Sequence, residues 1–167
     1  AEVKSKYKID KNQLNILLGI GGSGPTKRIP AKVFVEFMEL TSENYDCKFF
    51  LATGKNKEEQ EILNEILKND SKEKCTPLDH LNLKEIMPII SNCKISVCND
   101  SSFSHLSAAL GIQTIVLMSD TPLLYGSYSP KMHPIIPDGE DTVTHNTLGK
   151  DKINPNKIFE KLKIILN

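Results

Sequence analysis

The sequence has no tryptophan, a single arginine and no excess of either charge. Its 21 basic residues balance 21 acidic ones, and Arg28 is the only arginine. A balanced charge provides no net field to draw the chain to nucleic acid or to anionic lipid. Because the guanidinium is the group that holds phosphate through two parallel hydrogen bonds, that form of recognition is confined to Arg28. We therefore expect no nucleic-acid partner.

Long apolar runs and clustered metal ligands are also missing. No run approaches the roughly 20 residues that a membrane span needs, and the polar start lacks the apolar centre of a signal peptide. The four cysteines stand apart, with no CxxC pair and no histidine at metal-ligand spacing. Each lies in or beside an apolar run, which indicates reduced thiols in the core or at strand edges of a cytosolic protein. We expect no transmembrane segment, metal, cofactor or disulfide.

The length limits how much of an enzyme the sequence can hold. A chain of 167 residues with 39% hydrophobic residues can bury the core of one ordinary domain. It is too short for two Rossmann-type domains of roughly 150 residues each. An enzyme whose active site lies between two such domains would be present here only in part.

Apolar runs alternate with helical patterns along the chain. This alternation predicts an α/β fold with a three-layer, Rossmann-like parallel sheet covered on both faces. Ligands of such sheets lie at the carboxyl ends of the strands, near a topological switch point. The predicted strands cover residues 14–20, 47–53, 72–78, 94–98 and 113–118, with a proline-containing edge strand in 132–137. The predicted helices cover residues 31–43, 55–69, 82–91, 103–110 and 153–166.

The segment GGSGPTKR follows the first predicted strand. The next helix begins only near Pro30, too late for a dinucleotide-binding fingerprint, and the GK[ST] ending of a P-loop is absent. The segment offers the Ser23 hydroxyl and the cations of Lys27 and Arg28, a composition that suits phosphate or pyrophosphate. A solvated loop with two surface cations explains this segment equally well.

The segment NDSSFSHLSAALG follows the fourth predicted strand. Asp100, Ser101 and Ser102 are all good helix N-caps, although one residue suffices to cap a helix. A helix N-terminus carries free N–H donors and partial positive charge, so an anion could bind at Ser102–Phe103. Asp100 would repel a phosphate and therefore suits the hydroxyl groups of a sugar. A histidine one turn into a helix, as His105 is, more often packs against its neighbours than acts in catalysis.

An acidic residue follows the second predicted strand. Glu58 lies four residues beyond Gly54, where an acidic side chain of a doubly wound fold commonly binds the ribose hydroxyls of a nucleotide. A solvated glutamate in the first turn of a helix is the simpler explanation for any single residue. Together, the three segments place groups suited to phosphate, ribose and sugar at one edge of the sheet.

The order of these motifs resembles a known family. The chain is similar to the C-terminal, donor-binding half of the ADP-heptose:lipopolysaccharide heptosyltransferases, which form glycosyltransferase family 9 and have the GT-B fold. The motifs that carry the resemblance are, in order, GGSGPTKRIP, Gly54 with Glu58, LDHLNLKE, DSSFSHLSAALG and IVLMSDTPLLYG. The likeness runs from about Leu14 to Gly126, and DSSFSHLSAALG is its most specific part. The chain departs from the family where Ser102 replaces a usual glycine and Ile29 a frequent tryptophan.

The resemblance implies a role for each candidate residue. Lys27 would bind the donor phosphates and is the catalytic candidate, because it would stabilise the charge that grows on the departing ADP. The other residues implied at the donor are Ser23 at the pyrophosphate or sugar, Glu58 at the ribose, Leu81 near the adenine, Asp100 at the sugar, the backbone of Ser102 and Phe103 at the pyrophosphate, Ser101 beside them, and His105 as a brace of this loop.

The resemblance also implies an activity and a division of the chain. It implies inverting transfer of heptose from ADP-heptose to the inner core of bacterial lipopolysaccharide, in the cytoplasm or peripherally at the inner membrane. Residues 14–167 would form the nucleotide-sugar-binding domain and residues 1–13 a linker or N-terminal extension. The general base and the acceptor site would lie in an N-terminal domain that the chain lacks, so this chain alone would be inactive. The alternatives are a noncatalytic nucleotide-sugar-binding module and half of an enzyme resembling the UDP-sugar 2-epimerases.

Overall fold

Six parallel strands form one sheet in a computed structural model of the chain, which describes residues 2–21 and 24–167. The strands are β1 (Leu14–Gly19), β2 (Cys47–Ala52), β3 (Cys75–Pro77), β4 (Ile95–Asn99), β5 (Gln113–Leu117) and β6 (Met132–Ile135), in the spatial order β3-β2-β1-β4-β5-β6. The helices are α1 (Glu2–Lys6), α2 (Ala31–Asn44), α3 (Lys57–Leu67), α4 (Leu83–Ser91), α5 (Ser102–Ala109) and α6 (Pro155–Leu166). The predicted α/β class is confirmed.

Helices cover both faces of the sheet, and the described residues bury three hydrophobic cores, of which the third is small and joins Ala108 of α5 to Val116 of β5. Ile16 and Leu18 of β1 lie in the core shared with α2, α3 and α6, whereas Leu17 lies in the core shared with α1, α4 and α5. Successive residues of a strand point to opposite faces, so a strand covered on both faces must be apolar throughout. This explains the continuous apolar runs of the sequence and confirms the three-layer arrangement.

The strand order reverses between β1 and β4, which pair in parallel with Gly19 beside Cys98. The packing there is tight, because a Cβ on Gly19 would come within 2.7 Å of the Cys98 sulfur. At the end of β4, the Asn99 side-chain amide donates hydrogen bonds to the carbonyls of Ile20 (3.1 Å) and Gly21 (3.2 Å), which follow β1. The two loops at this switch point are therefore joined directly.

Local features of the sequence explain where several elements begin, end or lie. Asn82 caps α4 by accepting a hydrogen bond from the Glu85 N–H (2.9 Å), and the Glu85 carboxylate accepts one from the Asn82 N–H (3.2 Å). Gly111 follows α5 with a φ of 81°, a left-handed conformation that favours glycine. Strand β6, which contains Pro134, lies at the edge of the sheet, where a missing N–H donor is tolerated.

The predicted N-terminal extension packs against the rest of the chain. Ile9 is buried in the second core, and Val3 and Tyr7 pack against it beside α4. The Lys48 ammonium of β2 donates a hydrogen bond to the Tyr7 carbonyl (2.8 Å). The domain boundary at residue 13 remains a prediction.

The cysteines lie where the sequence predicted them, as free thiols in the core and at a strand edge. Cys47, Cys93 and Cys98 are buried and Cys75 is half-buried. Burial raises the pKa of Cys98 and that of Cys75 to about 12, so both thiols stay protonated and weakly nucleophilic at neutral pH.

Within the described residues, no helix combines the length and the apolar character required to traverse a lipid bilayer.

Truncating the first core tests this architecture. Phe37 of α2 is fully buried there, so Phe37→Ala should lower the free energy of unfolding by about 3–5 kcal/mol in a urea titration. The neighbouring Glu36→Ala, an exposed position on the same helix, should change it by less than about 0.5 kcal/mol. Equal effects of the two substitutions would contradict the assigned packing of α2.

Candidate functional site

Two clefts open at the carboxyl edge of the sheet and meet at the start of α5. The first, of about 440 Å³, lies among the loops that follow β1, β2 and β3. The second, of about 470 Å³, lies between the turn that carries Lys27 and the loop that follows β5. Ser101 and Ser102 line both clefts. The two clefts are therefore adjacent at the N-terminus of α5.

The first cleft combines an apolar wall with polar atoms at its base. Leu81, Ile86 and Phe103 form the wall, and all three are largely buried. The Thr53 hydroxyl lines the cleft and is buried without a hydrogen-bond partner among the described residues. An apolar surface with a few convergent polar groups is typical of a site for an aromatic ring that carries polar substituents.

Glu59 brings a carboxylate to the base of the first cleft. Its side chain, only 6% exposed, lies between Gly21 and Gly54, and a Cβ at either glycine would collide with the carboxylate. Asn56 caps α3 by accepting a hydrogen bond from the Glu59 N–H (2.9 Å), and its amide donates to the Glu59 carboxylate. The two glycines thus allow the backbone to approach an acidic group at the ends of β1 and β2.

The structure does not bring Glu58 into either cleft. Glu58 is exposed on the first turn of α3, one residue before Glu59. The buried face of this helix carries Glu59, Leu63 and Ile66, a spacing of four and then three residues. Residue 58 is turned away from that face, so the acidic group at the end of β2 is Glu59.

Asp100 is the most connected side chain of the second cleft. It is 6% exposed, and its Oδ2 accepts a hydrogen bond from the Thr121 hydroxyl (2.6 Å) and lies 3.4 Å from the Lys27 ammonium. Its Oδ1 lies 3.6 Å from the Nε2 of His105. A buried carboxylate with these neighbours has a fixed orientation at the floor of the cleft.

Lys27 and Ser102 line the same cleft, so the convergence of these two loops, predicted from the sequence, is confirmed. Lys27 ends a 3-10 turn that begins at Pro25, and Ser102 is the first residue of α5. The Lys27 cation and the partly positive helix terminus therefore face a common space. This combination attracts an anion such as phosphate.

The N-cap of α5 keeps a polar atom available beside this space. Ser101 is buried, and its hydroxyl has no hydrogen-bond partner in residues 2–21 and 24–167. The cap is closed instead by Ser104, whose hydroxyl donates to the Ser101 carbonyl (2.7 Å) and accepts from the Ser101 N–H (3.3 Å). The hydrogen of the Ser101 hydroxyl can therefore be donated to a ligand, also when its oxygen takes part in the capping box with Ser104.

His105 is held between Asp100 and Tyr128. The Tyr128 hydroxyl lies 2.6 Å from the Nδ1 of His105, and the two rings are stacked with centroids 5.6 Å apart. The Asp100 carboxylate lies 3.6 Å from Nε2, too far for a hydrogen bond, but its negative charge favours the neutral tautomer with the proton on Nε2. The Nδ1 atom then accepts a hydrogen bond from the Tyr128 hydroxyl, which assigns the tautomer from the network.

The remaining candidates are placed as follows. Ser23 lies outside the described residues. Arg28 lines neither cleft. Sequence reasoning gave no role to Thr121, Tyr125 and His145, which line the second cleft from loops and, for Tyr125, from a short 3-10 turn. Among the described residues, no three histidine, cysteine, aspartate or glutamate side chains are grouped so that they could hold a metal ion.

The family model and the curated relatives that match the chain point to the same family. Residues 2–156 match the family model for "Glycosyltransferase family 9 (heptosyltransferase)". The chain is 24% identical to lipopolysaccharide heptosyltransferase 1 of Campylobacter coli, over 98% of this chain and 49% of that protein.

Solved structures share the fold at lower identity. The structure of E. coli ADP-heptose lps heptosyltransferase II has a TM-score of 0.79 and 23% identity over 99% of this chain and 50% of that one. E. coli heptosyltransferase WaaC with ADP has a TM-score of 0.77 and 17% identity over 93% and 45% of the two chains. The chain thus spans about half the length of these relatives. UDP-GlcNAc 2-epimerase from Methanocaldococcus jannaschii has a lower TM-score, 0.66, with 18% identity over 99% of this chain and 43% of that one.

Removing the Tyr128 hydroxyl tests the assigned hydrogen-bond network. In Tyr128→Phe, Nδ1 of His105 loses its donor, so the preference for the proton on Nε2 should weaken. The measurement is the pair of ¹⁵N chemical shifts of the His105 ring at a pH where the ring is neutral. Tyr125→Phe, which removes a hydroxyl from the same loop, serves as the control and should leave both shifts unchanged. Wild-type shifts in Tyr128→Phe would contradict the network.

Proposed function

The chain belongs to glycosyltransferase family 9, and we propose that it is the donor-binding half of an inverting heptosyltransferase. The whole protein would transfer heptose from ADP-heptose to a sugar hydroxyl of the lipopolysaccharide inner core. The observation that carries this proposal is the pair of clefts that share Ser101 and Ser102. One cleft suits a nucleoside, the other suits a sugar, and the helix terminus between them suits a diphosphate.

The adenosine would occupy the first cleft. The adenine ring would pack against the wall of Leu81, Ile86 and Phe103, which removes its faces from water. The ribose hydroxyls would donate hydrogen bonds to the carboxylate of Glu59. We give this role to Glu59 rather than Glu58, because Glu59 lines the cleft and Glu58 is exposed.

The diphosphate would cross the N-terminus of α5. The N–H groups of the first helical turn, the hydroxyl of Ser101 and the ammonium of Lys27 would all donate to it. When the bond to the anomeric carbon breaks, the departing ADP takes the electron pair and its negative charge grows. Positioned donors that act on developing charge contribute a few kcal/mol each to lowering the barrier, which makes Lys27 the main catalytic residue of this half.

The heptose would lie in the second cleft beside Asp100. The sugar hydroxyls would donate to Asp100, whose carboxylate is already oriented by Thr121 and Lys27. The acceptor hydroxyl would attack the opposite face of the anomeric carbon, which inverts its configuration, and would lose its proton to a general base. We place that base and the acceptor site in a second domain, so the chain alone would bind ADP without transferring sugar.

We further propose that this reaction takes place in the cytoplasm. All four cysteines of the chain are free, and three of them are buried. Reduced cysteines are usual in a reducing compartment.

Replacing Lys27 tests the diphosphate site. In Lys27→Ala, ADP affinity measured by calorimetry should fall at least tenfold, because a charge-assisted contact to phosphate is lost. Adenosine affinity should stay unchanged, since Lys27 does not line the first cleft. The control is Lys32→Ala, which removes an exposed lysine of α2. If Lys27→Ala binds ADP with the wild-type affinity, Lys27 is not part of the diphosphate site.

Two adjacent glutamates provide a matched test of the ribose site. Glu59→Gln should weaken ADP binding about tenfold, because the hydrogen bonds from the ribose hydroxyls lose a charged acceptor. Glu58→Gln should leave ADP affinity at the wild-type value. With 2′,3′-dideoxy-ADP as the ligand, Glu59→Gln should bind as the wild type does. The reverse pattern, with the loss in Glu58→Gln, would return the ribose role to Glu58.

Selectivity for the base separates this proposal from an epimerase-like one. The wall of the first cleft should favour ADP over UDP in a calorimetric titration of the wild-type chain. Tighter binding of UDP would favour the epimerase-like alternative.

A further inference from the structure

Three consecutive polar residues are buried where the chain leaves β5. Ser119, Asp120 and Thr121 are 1%, 6% and 3% exposed. Residues of these types are mostly exposed in folded proteins, and when buried they are usually held by hydrogen bonds. Each of the three makes a bond to a different segment of the chain.

Ser119 is bonded to the turn that carries Lys27. Its hydroxyl donates to the carbonyl of Thr26 (2.9 Å), the residue directly before Lys27 in the 3-10 turn. The two partners are 93 positions apart in sequence, so this bond links the end of β5 to the loop after β1. The position of the Lys27 backbone therefore depends on a side chain that itself lines neither cleft.

Ser119 and Asp120 also hold the segment that carries His145. The Ser119 carbonyl accepts a hydrogen bond from the Gly149 N–H (2.9 Å), and the Asp120 carboxylate accepts one from the Leu148 N–H (2.7 Å). Leu148 has a φ of 49°, in the left-handed region that non-glycine residues rarely adopt. The two bonds help to maintain this conformation, three residues after a histidine that lines the second cleft.

Thr121 completes the set by orienting Asp100. Its hydroxyl donates to Asp100 Oδ2 at 2.6 Å, the oxygen that also lies 3.4 Å from the Lys27 ammonium. Three successive residues thus fix three walls of the second cleft, namely the turn at Lys27, the segment at His145 and the carboxylate of Asp100. None of the three lines the first cleft.

We propose that Ser119, Asp120 and Thr121 are positioning residues for the diphosphate-sugar part of the donor, and that Ser119 acts through Lys27. This proposal rests on the function proposed above. The proposal predicts that substitutions at these positions affect some ligands and not others. Loss of the Ser119 hydroxyl weakens the binding of ligands that carry a diphosphate and leaves the binding of the bare nucleoside intact.

The test uses Ser119→Ala in the full chain, with adenosine and ADP as calorimetric probes. ADP affinity is expected to fall about fivefold, while adenosine affinity stays within twofold of the wild type and the melting temperature within a few degrees. Ser96→Ala is the control, because it also removes a fully buried serine hydroxyl, but from β4 and away from both clefts. Ser96→Ala should bind both probes as the wild type does.

A double substitution identifies the route of the effect. If Ser119 acts through Lys27, the variant Ser119→Ala/Lys27→Ala binds ADP no more weakly than Lys27→Ala alone. Equal weakening of adenosine and ADP in Ser119→Ala would show a general structural effect and overturn the proposal. Wild-type ADP affinity in Ser119→Ala, with weak binding in Lys27→Ala, would overturn only the positioning role. Wild-type ADP affinity in Lys27→Ala would instead overturn the proposed function.

Thr121 provides a second pair that does not depend on the folding of Ser119→Ala. Thr121→Val removes the hydroxyl that orients Asp100 and should weaken ADP binding at least twofold, because Asp100 pairs with Lys27. Thr121→Ser keeps the hydroxyl and should recover the wild-type affinity. Identical ADP affinities of the two variants would overturn the role of Thr121.

Discussion

The parallel pairing of β1 with β4 determines the rest of the site. It sets Gly19 beside Cys98 at the point where the strand order reverses, and the loops that follow both strands emerge together. The Asn99 amide then joins them by donating to the carbonyls of Ile20 and Gly21. A helix N-terminus, an acidic group and a lysine converge at this edge because the backbone leaves the two strands in the same direction.

The two clefts differ in the apolar surface and in the charged groups that they present. The first contains the apolar wall and Glu59, and the second contains the paired charges of Lys27 and Asp100. Their shared boundary, Ser101 and Ser102, presents N–H groups and the Ser101 hydroxyl, which has no hydrogen-bond partner in the described part of the chain, rather than a charged side chain. A ligand that is apolar at one end, anionic in the middle and rich in hydroxyls at the other matches this order. The base, the diphosphate and the sugar of a nucleotide sugar have these properties in the same order.

Much of the fold could be predicted from the sequence, because a sheet covered on both faces requires continuous apolar strands. The convergence of Lys27 and Ser102 followed from the general rule that carboxyl ends of parallel strands share an edge. The glutamate of α3 that lines the first cleft was harder to identify from the sequence. Distance from Gly54 favoured Glu58, whereas the helical phase set by Leu63 and Ile66 buries Glu59. The phase was readable in the sequence and is the better guide.

The parts of the site on irregular segments could not be predicted. Thr121 and His145 reach the second cleft through loops whose course depends on single hydrogen bonds, such as the one between Leu148 and Asp120. No periodic pattern encodes such bonds, and partners separated by 28 positions leave no local signal.

A crystal structure of this chain with ADP bound is the most direct test that a single nucleotide spans both clefts. The adenine should lie against Phe103 in the first cleft, with the diphosphate within hydrogen-bond distance of the Ser102 N–H and the Lys27 ammonium. An ADP molecule confined to one cleft, with its phosphates remote from both Lys27 and Ser102, would contradict it.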